Sequence, residues 1–181
     1  MILAIVAIVV VLIIALMYNS LVSKSNSCDE AFSTMDVYLK KRYDLVPNLV
    51  NTVKGYASHE KNTLAEVIKL RNSAASATDS DSIMEQNDAL SRGIGKLFAL
   101  AEAYPDLKAN TNFLDLQNQI KSIEEDISNS RKYYNGCVKI YNNAVMMFPM
   151  NIFAGIFRFK KKKMFEIINN EERNNVKVKF D

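Results

Sequence analysis

FLDLQNQIKSIEEDISNSRKYYNGCVKIYNNAVMMF, residues 113–148, is the stretch that decides the fold class. Positions suited to burial recur through it at alternating intervals of three and four residues: Phe113, Leu116, Ile120, Ile123, Ile127, Ser130, Tyr134, Cys137, Tyr141, Ala144 and Phe148. This alternation predicts one long helix that buries a single stripe by heptad packing. The remaining faces carry charged side chains suited to water, and Pro149 predicts the end of the helix.

An earlier segment that begins at Cys28 shows the same alternation. Its positions are Cys28, Phe32, Met35, Leu39, Arg42, Val46, Leu49, Val53 and Tyr56. Pro47 and Gly55 are the candidate break points of this helix. The register continues to Ala77, but one unbroken helix from Cys28 to Ala77 would be about 75 Å long. Because such a helix would be longer than the helices that pack against it, we expect a turn within residues 55–59.

The middle of the chain predicts a loop followed by another amphipathic helix. Residues 73–82 are rich in Ala, Ser, Thr and Asp, and Ser82 with Glu85 has the S-x-x-E form of a capping box. The next stripe consists of Ile83, Asn87, Leu90, Ile94, Leu97, Ala101 and Tyr104. Within it, Gly93 and Gly95 indicate close helix packing or a bend, because a phosphate-binding loop would need a preceding strand.

These segments together predict an all-α fold. Pro105 predicts the end of the middle helix, and Asn112 is the expected N-cap of the last long helix. Short connections favour antiparallel neighbours, so we expect an elongated antiparallel bundle of four helices over residues 23–149.

The first 22 residues predict a transmembrane anchor. Residues 1–17 are all apolar, and no charged side chain precedes Lys24. A helix of roughly 17–25 such residues crosses a bilayer with every backbone amide bonded internally. A cleaved signal peptide would begin with basic residues and end in a small-x-small cleavage site, and this segment fits neither requirement. We therefore expect residues 2–22 to remain in the lipid bilayer.

Basic residues beside this anchor predict its orientation. Lys24, Lys40, Lys41 and Arg42 follow the span, and no basic residue precedes it. Positive charge near the end of a span favours the cytoplasmic side of the membrane. We expect a single-pass protein of the cell membrane, with its short N-terminus outside and its C-terminal domain in the cytoplasm.

The C-terminal tail, residues 150–181, concentrates the basic character of the chain. From Arg158 onward eight Lys or Arg stand against four Asp or Glu, whereas the whole chain has a net charge of +3. The candidates for contact with an anionic membrane surface are Arg158, Lys160, Lys161, Lys162 and Lys163. Packing of the tail on the bundle and a solvated, partly disordered tail are the alternatives. No nucleic-acid partner is expected, because no recognised motif accompanies the basic run.

Two long stretches closely resemble the signature of the LemA family. They are DVYLKKRYDLVPNLVNTVKGYASHE at residues 36–60 and LFALAEAYPDLKANTNF at residues 97–113. Shorter likenesses near residues 131–149 and at residues 176–180 extend the resemblance over nearly the whole chain. It implies a bacterial membrane protein with one N-terminal span, a short external N-terminus and a four-helix bundle. The resemblance supplies no catalytic residues, and it associates some relatives with membrane remodelling or envelope functions.

Side chains that could support catalysis or bind a metal are few. His59 is the single histidine, and the H-E-x-x-H zinc motif fails because Thr63 occupies its second histidine position. Cys28 and Cys137 fall on the buried stripes, where a free thiol behaves as a small apolar group. We therefore expect no catalytic, cofactor-binding or metal-binding residues, and no cofactor.

Arg42, which falls on the predicted stripe, has four polar residues on its two sides in the sequence: Asp36, Lys40, Asp44 and Asn48. A buried charge is costly unless it is paired, so we expect Asp36 or Asp44 to neutralise Arg42. The set is interpreted either as a buried polar cluster that fixes helix register or as a small polar docking site.

The predicted function is a non-enzymatic interaction or scaffolding platform at the cytoplasmic membrane face, with unidentified membrane or cytoplasmic proteins as partners. The alternative is an enzyme or metal-dependent factor that uses the polar cluster around Asp36, Arg42 and His59. Direct deformation of the membrane is a third hypothesis. The sequence leaves the oligomeric state open.

Overall fold

The structure is a computed structural model that describes residues 1–165. Within that range its elements are α1 (Ile2–Tyr56), α2 (Lys61–Ser76), α3 (Ser80–Ala101), α4 (Pro105–Lys108), α5 (Thr111–Met146) and α6 (Met150–Ile156). The described residues form helices and no strand, which confirms the predicted all-α class. Helices α1, α2, α3 and α5 are the four long helices of the bundle, and α4 and α6 are short additions.

One uninterrupted helix, α1, joins the apolar N-terminal segment to the bundle. It has 55 residues and is therefore about 80 Å long. Pro47 lies inside α1, and the helix ends at Tyr56, within the turn expected at residues 55–59. Its apolar N-terminal part is long and hydrophobic enough to cross a membrane. The anchor and the first bundle helix are thus one continuous rod.

From Met35 to Val53 the stripe predicted on α1 forms the centre of the core, whereas Tyr56, its last predicted position, is 43% exposed at the end of the helix. Met35, Leu39, Val46, Leu49 and Val53 are at most 1% exposed. They belong to one cluster with apolar residues of α2, α3, α4 and α5, among them Val67, Leu97, Leu107, Phe113 and Ile120. A second cluster lies closer to the anchor and consists of Cys28, Ala31, Tyr134, Val138 and Tyr141.

The hairpin of α2 and α3 is shorter than the pair of helices that it covers. Helix α2 has 16 residues and α3 has 22, whereas α5 has 36. As a result, α2 and α3 contribute to the central cluster but not to the second cluster around Cys28. The groove between α1 and α5 near the anchor is instead covered by residues 159–165, which we call the strap.

The connection between α2 and α3 is shorter than expected, and its cap differs. The loop predicted at residues 73–82 is confined to residues 77–79, because Asp79 rather than Ser82 begins the next helix. The Asp79 carboxylate accepts the Ser82 backbone N–H at 3.0 Å. Hydrogen bonding from Ser82 also lowers the pKa of Asp79. Asp79 is thus a genuine N-cap, which satisfies one of the free amides at the start of α3.

Both ends of α5 also differ from the expectation. Asn110, not Asn112, caps its start, since the Asn110 side chain accepts a backbone N–H three residues on at 3.0 Å. The helix ends at Met146, so Phe148 lies beyond it and is 80% exposed. Phe148 was expected to be the last buried position of the stripe, and that prediction is wrong.

Gly93 allows close approach of α2 and α3. A Cβ atom at this position would lie 2.8 Å from Leu70 Cδ1 and 3.5 Å from Val67 Cγ2. Gly95, on the same helix, has no such neighbour within 4 Å. The prediction of close helix packing is therefore confirmed for Gly93 alone.

Candidate functional site

Arg42 is fully buried and joins three helices of the bundle. Its guanidinium donates to Ser91 Oγ of α3 at 2.7 Å and to Glu124 Oε1 of α5 at 2.6 Å, and it also donates to the Asn87 side chain. The Tyr43 hydroxyl donates to Asn87 Oδ1 at 2.8 Å. Burial raises the pKa of Tyr43. Arg42 is thus a charged cross-link between α1, α3 and α5 at one level.

The expected pairing of Arg42 with Asp36 or Asp44 is wrong. Asp36 is exposed, and Asp44 faces Lys40 Nζ at 3.1 Å. Residues two and six positions away on a helix point to other faces, so closeness in sequence does not bring them together. Arg42 takes its partners from other helices, as a buried cluster that sets helix register would.

The three residues named for the enzymatic alternative do not form a site. Arg42 is buried, whereas Asp36 and His59 are exposed. His59 follows the end of α1, so about 20 Å of helix axis separates it from Arg42. Among residues 1–165, no group of three or more His, Cys, Asp or Glu side chains could hold a metal ion. The geometry therefore provides no support for catalysis at these residues.

Both cysteines lie at the second cluster, with Cys28 inside it and Cys137 packed against it. Cys28 is buried, Cys137 is half-buried, and both are free thiols. Burial raises the pKa of the Cys28 thiol. The stripe predicted on α5 placed Cys137 at the buried position. In the structure Val138, the next residue, is fully buried, so the two residues share that position. Cys28 therefore acts as an apolar packing residue, as expected.

The strap is held on α5 by its backbone. The Tyr141 hydroxyl donates to the Lys160 carbonyl at 2.9 Å. The Asn142 side chain donates to the Lys162 carbonyl at 2.8 Å and accepts the Lys162 N–H at 2.9 Å. Because these bonds recognise main-chain atoms, they fix the path of the strap whatever side chains it carries.

The same arrangement repeats seven residues earlier on α5. The Tyr134 hydroxyl donates to the Lys163 carbonyl at 3.1 Å, and Asn135 exchanges two bonds of 2.8 Å with the Phe165 backbone. Seven residues of helix rise about 10.5 Å, and three residues of extended chain span about 10 Å. One heptad therefore matches three strap residues, and the two Tyr-Asn pairs form a ladder along which the strap runs antiparallel to α5.

Two lysines of the strap also pair with carboxylates of the bundle. Lys162 pairs with Asp29 of α1, and its Nζ donates to the Ser25 carbonyl at 3.2 Å. Lys163 pairs with Asp81 in the first turn of α3. An open cleft of about 470 Å³ lies between these two ion pairs. The strap thus connects α1, α5 and the tip of the α2–α3 hairpin.

The five basic residues predicted to contact the membrane therefore fall into two groups. Lys162 and Lys163 have partners in the bundle. Arg158, Lys160 and Lys161 are exposed, as Lys163 is, and they adjoin Phe159, whose ring contacts Tyr18 of α1. The part of the tail at residues 166–181 lies outside the described residues, as does the family-like ending at residues 176–180.

Helix α6 packs on α1 where the anchor meets the bundle. Ala154 of α6 is buried against Leu21 of α1. The Tyr18 ring lies 5.0 Å from the Phe157 ring and 5.8 Å from the Phe159 ring, measured between centroids. Arg158 adopts the left-handed conformation, with φ of 59°, and the Phe159 N–H bonds the Ala154 carbonyl at 2.9 Å. This C-terminal cap turns the chain from α6 into the strap.

Helical periodicity alone does not reveal the Tyr-Asn ladder. Its signal is present in the sequence, since Tyr134-Asn135 and Tyr141-Asn142 are separated by seven residues. The two tyrosines were assigned to the buried stripe, which is correct for their rings. Their hydroxyls and the neighbouring asparagines could not be assigned without the strap beside them.

Comparison of the sequence with known proteins identifies relatives of this chain. The chain is 24% identical over 165 residues to Protein LemA of Metamycoplasma hominis. That match covers 86% of this chain and 75% of the relative. It is 21% identical to Magnetosome protein MamQ 2 of Paramagnetospirillum magneticum and 20% identical to Magnetosome protein MamQ of Magnetospirillum gryphiswaldense. In each of these the match covers 82% of this chain, and this chain spans 64% of the relative's length. The sequence profile of the LemA family matches residues 31–180, most of the chain, and the chain therefore belongs to the LemA family.

Proposed function

We propose that this chain is a membrane-anchored scaffold, which holds a rigid helical column on the cytoplasmic face of the membrane and catalyses no reaction. The observation that carries the proposal is the continuity of α1 from Ile2 to Tyr56. About 20 residues of α1 cross the hydrocarbon, and the remainder rises roughly 50 Å beyond it. Because no loop separates the anchor from the bundle, partner proteins would meet docking surfaces at set heights above the lipid.

The cytoplasmic orientation follows from the basic residues Lys24, Lys40 and Lys41, which lie on the bundle side of the span. It is tested by placing one cysteine at the exposed position Ser58, in a chain whose two native cysteines are replaced by Ala. A membrane-impermeant maleimide should label Ser58→Cys only after the cells are permeabilised. Labelling of intact cells would reverse the proposed orientation.

The exposed basic residues near the anchor are proposed to contact anionic headgroups. Residues 18–181, which keep the contacts of Tyr18 and Leu21 with the segment after α5, would be floated with vesicles that contain anionic lipid once circular dichroism has shown them to be helical. Replacement of Arg158, Lys160 and Lys161 by Gln should weaken binding by up to about fivefold for each charge removed, and less at high salt. The matched control replaces Lys162 and Lys163, which already have carboxylate partners and should matter less. Equal effects of the two variants would contradict this assignment.

The scaffold itself is tested by uncoupling the column from the anchor. A flexible Gly-Ser linker inserted after Val22 leaves the span and most of the bundle intact but removes the rigid junction. Photo-crosslinkers at the exposed Lys121 of α5 should capture defined membrane-associated partners in cells, and the linker should abolish that pattern while membrane attachment persists. His59→Ala should change neither function nor capture. An unchanged crosslinking pattern in the linker variant, or loss of function in His59→Ala, would overturn the proposal.

A further inference from the structure

The corner between α5 and the strap exposes an unusual amount of apolar surface. Phe148 is 80% exposed, Ile156 66%, Met147 65% and Ile152 52%. A folded protein in water rarely leaves large apolar side chains together on its surface unless another surface covers them. Residues 147–157, which contain this group, include no charged side chain.

Two of these residues share the outward face of α6. Ile152 and Ile156 are four residues apart and therefore lie on the same side of α6. Ala154, on the opposite side, is 1% exposed and packs on Leu21 of α1. Helix α6 is thus attached to α1 by its small residue and turns its two isoleucines away from the protein.

The depth of this corner matches the boundary of the bilayer. Twenty residues of α1, from Ile2 to Leu21, rise about 30 Å, which equals the thickness of the hydrocarbon core. Phe157 and Phe159 contact Tyr18, and Ala154 contacts Leu21, so α6 lies level with the last turn of the span. An aromatic residue such as Tyr18 is typical of this boundary.

Charge distribution along the chain agrees with that depth. The apolar residues 147–157 are followed at once by Arg158, Lys160 and Lys161, all exposed. Apolar side chains beside a basic cluster are the composition of a segment that lies in the interface of an anionic leaflet. A protein partner at this place would have to share it with the lipid that surrounds the span.

We propose that residues 147–157 are an interfacial wedge, which inserts Phe148, Ile152 and Ile156 into the leaflet on the bundle side, next to the anchor. The span and the wedge give the protein two points of contact with one leaflet. Two points fix the rotation and tilt of the column, which a single span leaves free. The inference rests on the proposed anchoring of α1 in the bilayer.

The chain contains no tryptophan, so one introduced tryptophan reports its own surroundings. Full-length Ile152→Trp would be reconstituted in vesicles with lipids brominated on the acyl chains close to the headgroup. Phe148→Trp is the second reporter should Ile152→Trp misfold. Tyr133→Trp is the matched control, because Tyr133 is 64% exposed on α5, about 20 Å of helix axis from its end. Val9→Trp, within the span, tests the anchoring independently.

Severalfold stronger quenching of Ile152→Trp than of Tyr133→Trp by the brominated lipids, together with weaker quenching by aqueous iodide, would support the wedge. Strong iodide quenching of Ile152→Trp would overturn it. Protection from both quenchers would also overturn it, because the site would then be covered by protein, such as a second copy of the chain. If Val9→Trp is quenched by lipid and Ile152→Trp is not, the anchor holds and the wedge alone fails.

Discussion

The two hydrogen bonds between Asn142 and Lys162 make the strap testable by a single substitution. Asn142→Ala removes both bonds, which measure 2.8 and 2.9 Å, and leaves the backbone of α5 unchanged. The ion pair between Lys162 and Asp29 remains, as does the bond from Tyr141 to Lys160. The substitution therefore weakens the strap at one rung without removing the other attachments.

The size of the effect follows from these bonds. A hydrogen bond within a protein contributes about 0.5–1.5 kcal/mol net, so two contribute roughly 1–3 kcal/mol. The strap backbone is only partly buried, and water replaces some of this loss when the strap opens. We expect a change of about 1–2 kcal/mol in the local opening free energy, which corresponds to roughly fivefold to thirtyfold more frequent opening.

Hydrogen–deuterium exchange of the full-length protein in lipid nanodiscs measures this opening directly. The amide of Lys162 should exchange faster by that factor in Asn142→Ala, while amides in the centre of α5 keep their rates. Asn143→Ala is the matched control, since Asn143 is exposed and the same gain in helix propensity accompanies its replacement. Equal exchange at Lys162 in the two variants would refute the assignment of Asn142 as a clamp on the strap.

The other predictions concern the core and its ionisable groups. Glu124→Ala should lower the free energy of unfolding by about 2–3 kcal/mol in urea titrations, because it leaves a buried guanidinium short of its carboxylate, whereas Arg42→Met should cost less. Gly95→Ala should raise the free energy of unfolding by about 0.5–1 kcal/mol, because it lies exposed in a helix interior; Gly93→Ala should gain less, because its Cβ would meet a leucine methyl at 2.8 Å. Burial raises the pKa of Tyr141 above its ordinary value of 10.0. The contribution of Tyr141 to the free energy of unfolding is therefore fully present below pH 10 and decreases as the pH rises further. Tyr141→Phe should therefore lose less stability than the unchanged chain between pH 10 and the pH of alkaline unfolding, as followed by circular dichroism.

Helical periodicity succeeded where burial is continuous along one helix. The stripe from Met35 to Val53 is buried throughout, because each position faces the core by helix geometry alone. Periodicity failed at Phe148, which it predicted to be buried. Helix α5 ends at Met146, two residues before the apolar pattern does. The caps at Asp79 and Asn110 were misplaced for a similar reason, because several nearby polar residues can serve and tertiary packing selects among them.

Sequence patterns could not identify partners that come from distant parts of the chain. Arg42 was recognised as a charge in need of neutralisation, but its carboxylate partner, Glu124, lies 82 positions away. The basic tail posed the same difficulty. Lys160, Lys161, Lys162 and Lys163 are the same residue type in one run. Only the path of the strap gives Lys162 and Lys163 carboxylate partners in the bundle.

The amino-acid sequence by itself determined the helical class, the apolar span and the positions that face the core, since periodicity and hydropathy act through local geometry and solvent. The tertiary structure alone decided that the span continues unbroken into the bundle and that the hairpin of α2 and α3 is too short to cover the groove near the anchor. It also decided that the strap, held by two Tyr-Asn pairs, covers that groove, and that α6 lies level with the end of the span. These features depend on which lengths and which distant atoms meet, and a one-dimensional pattern carries no information on either.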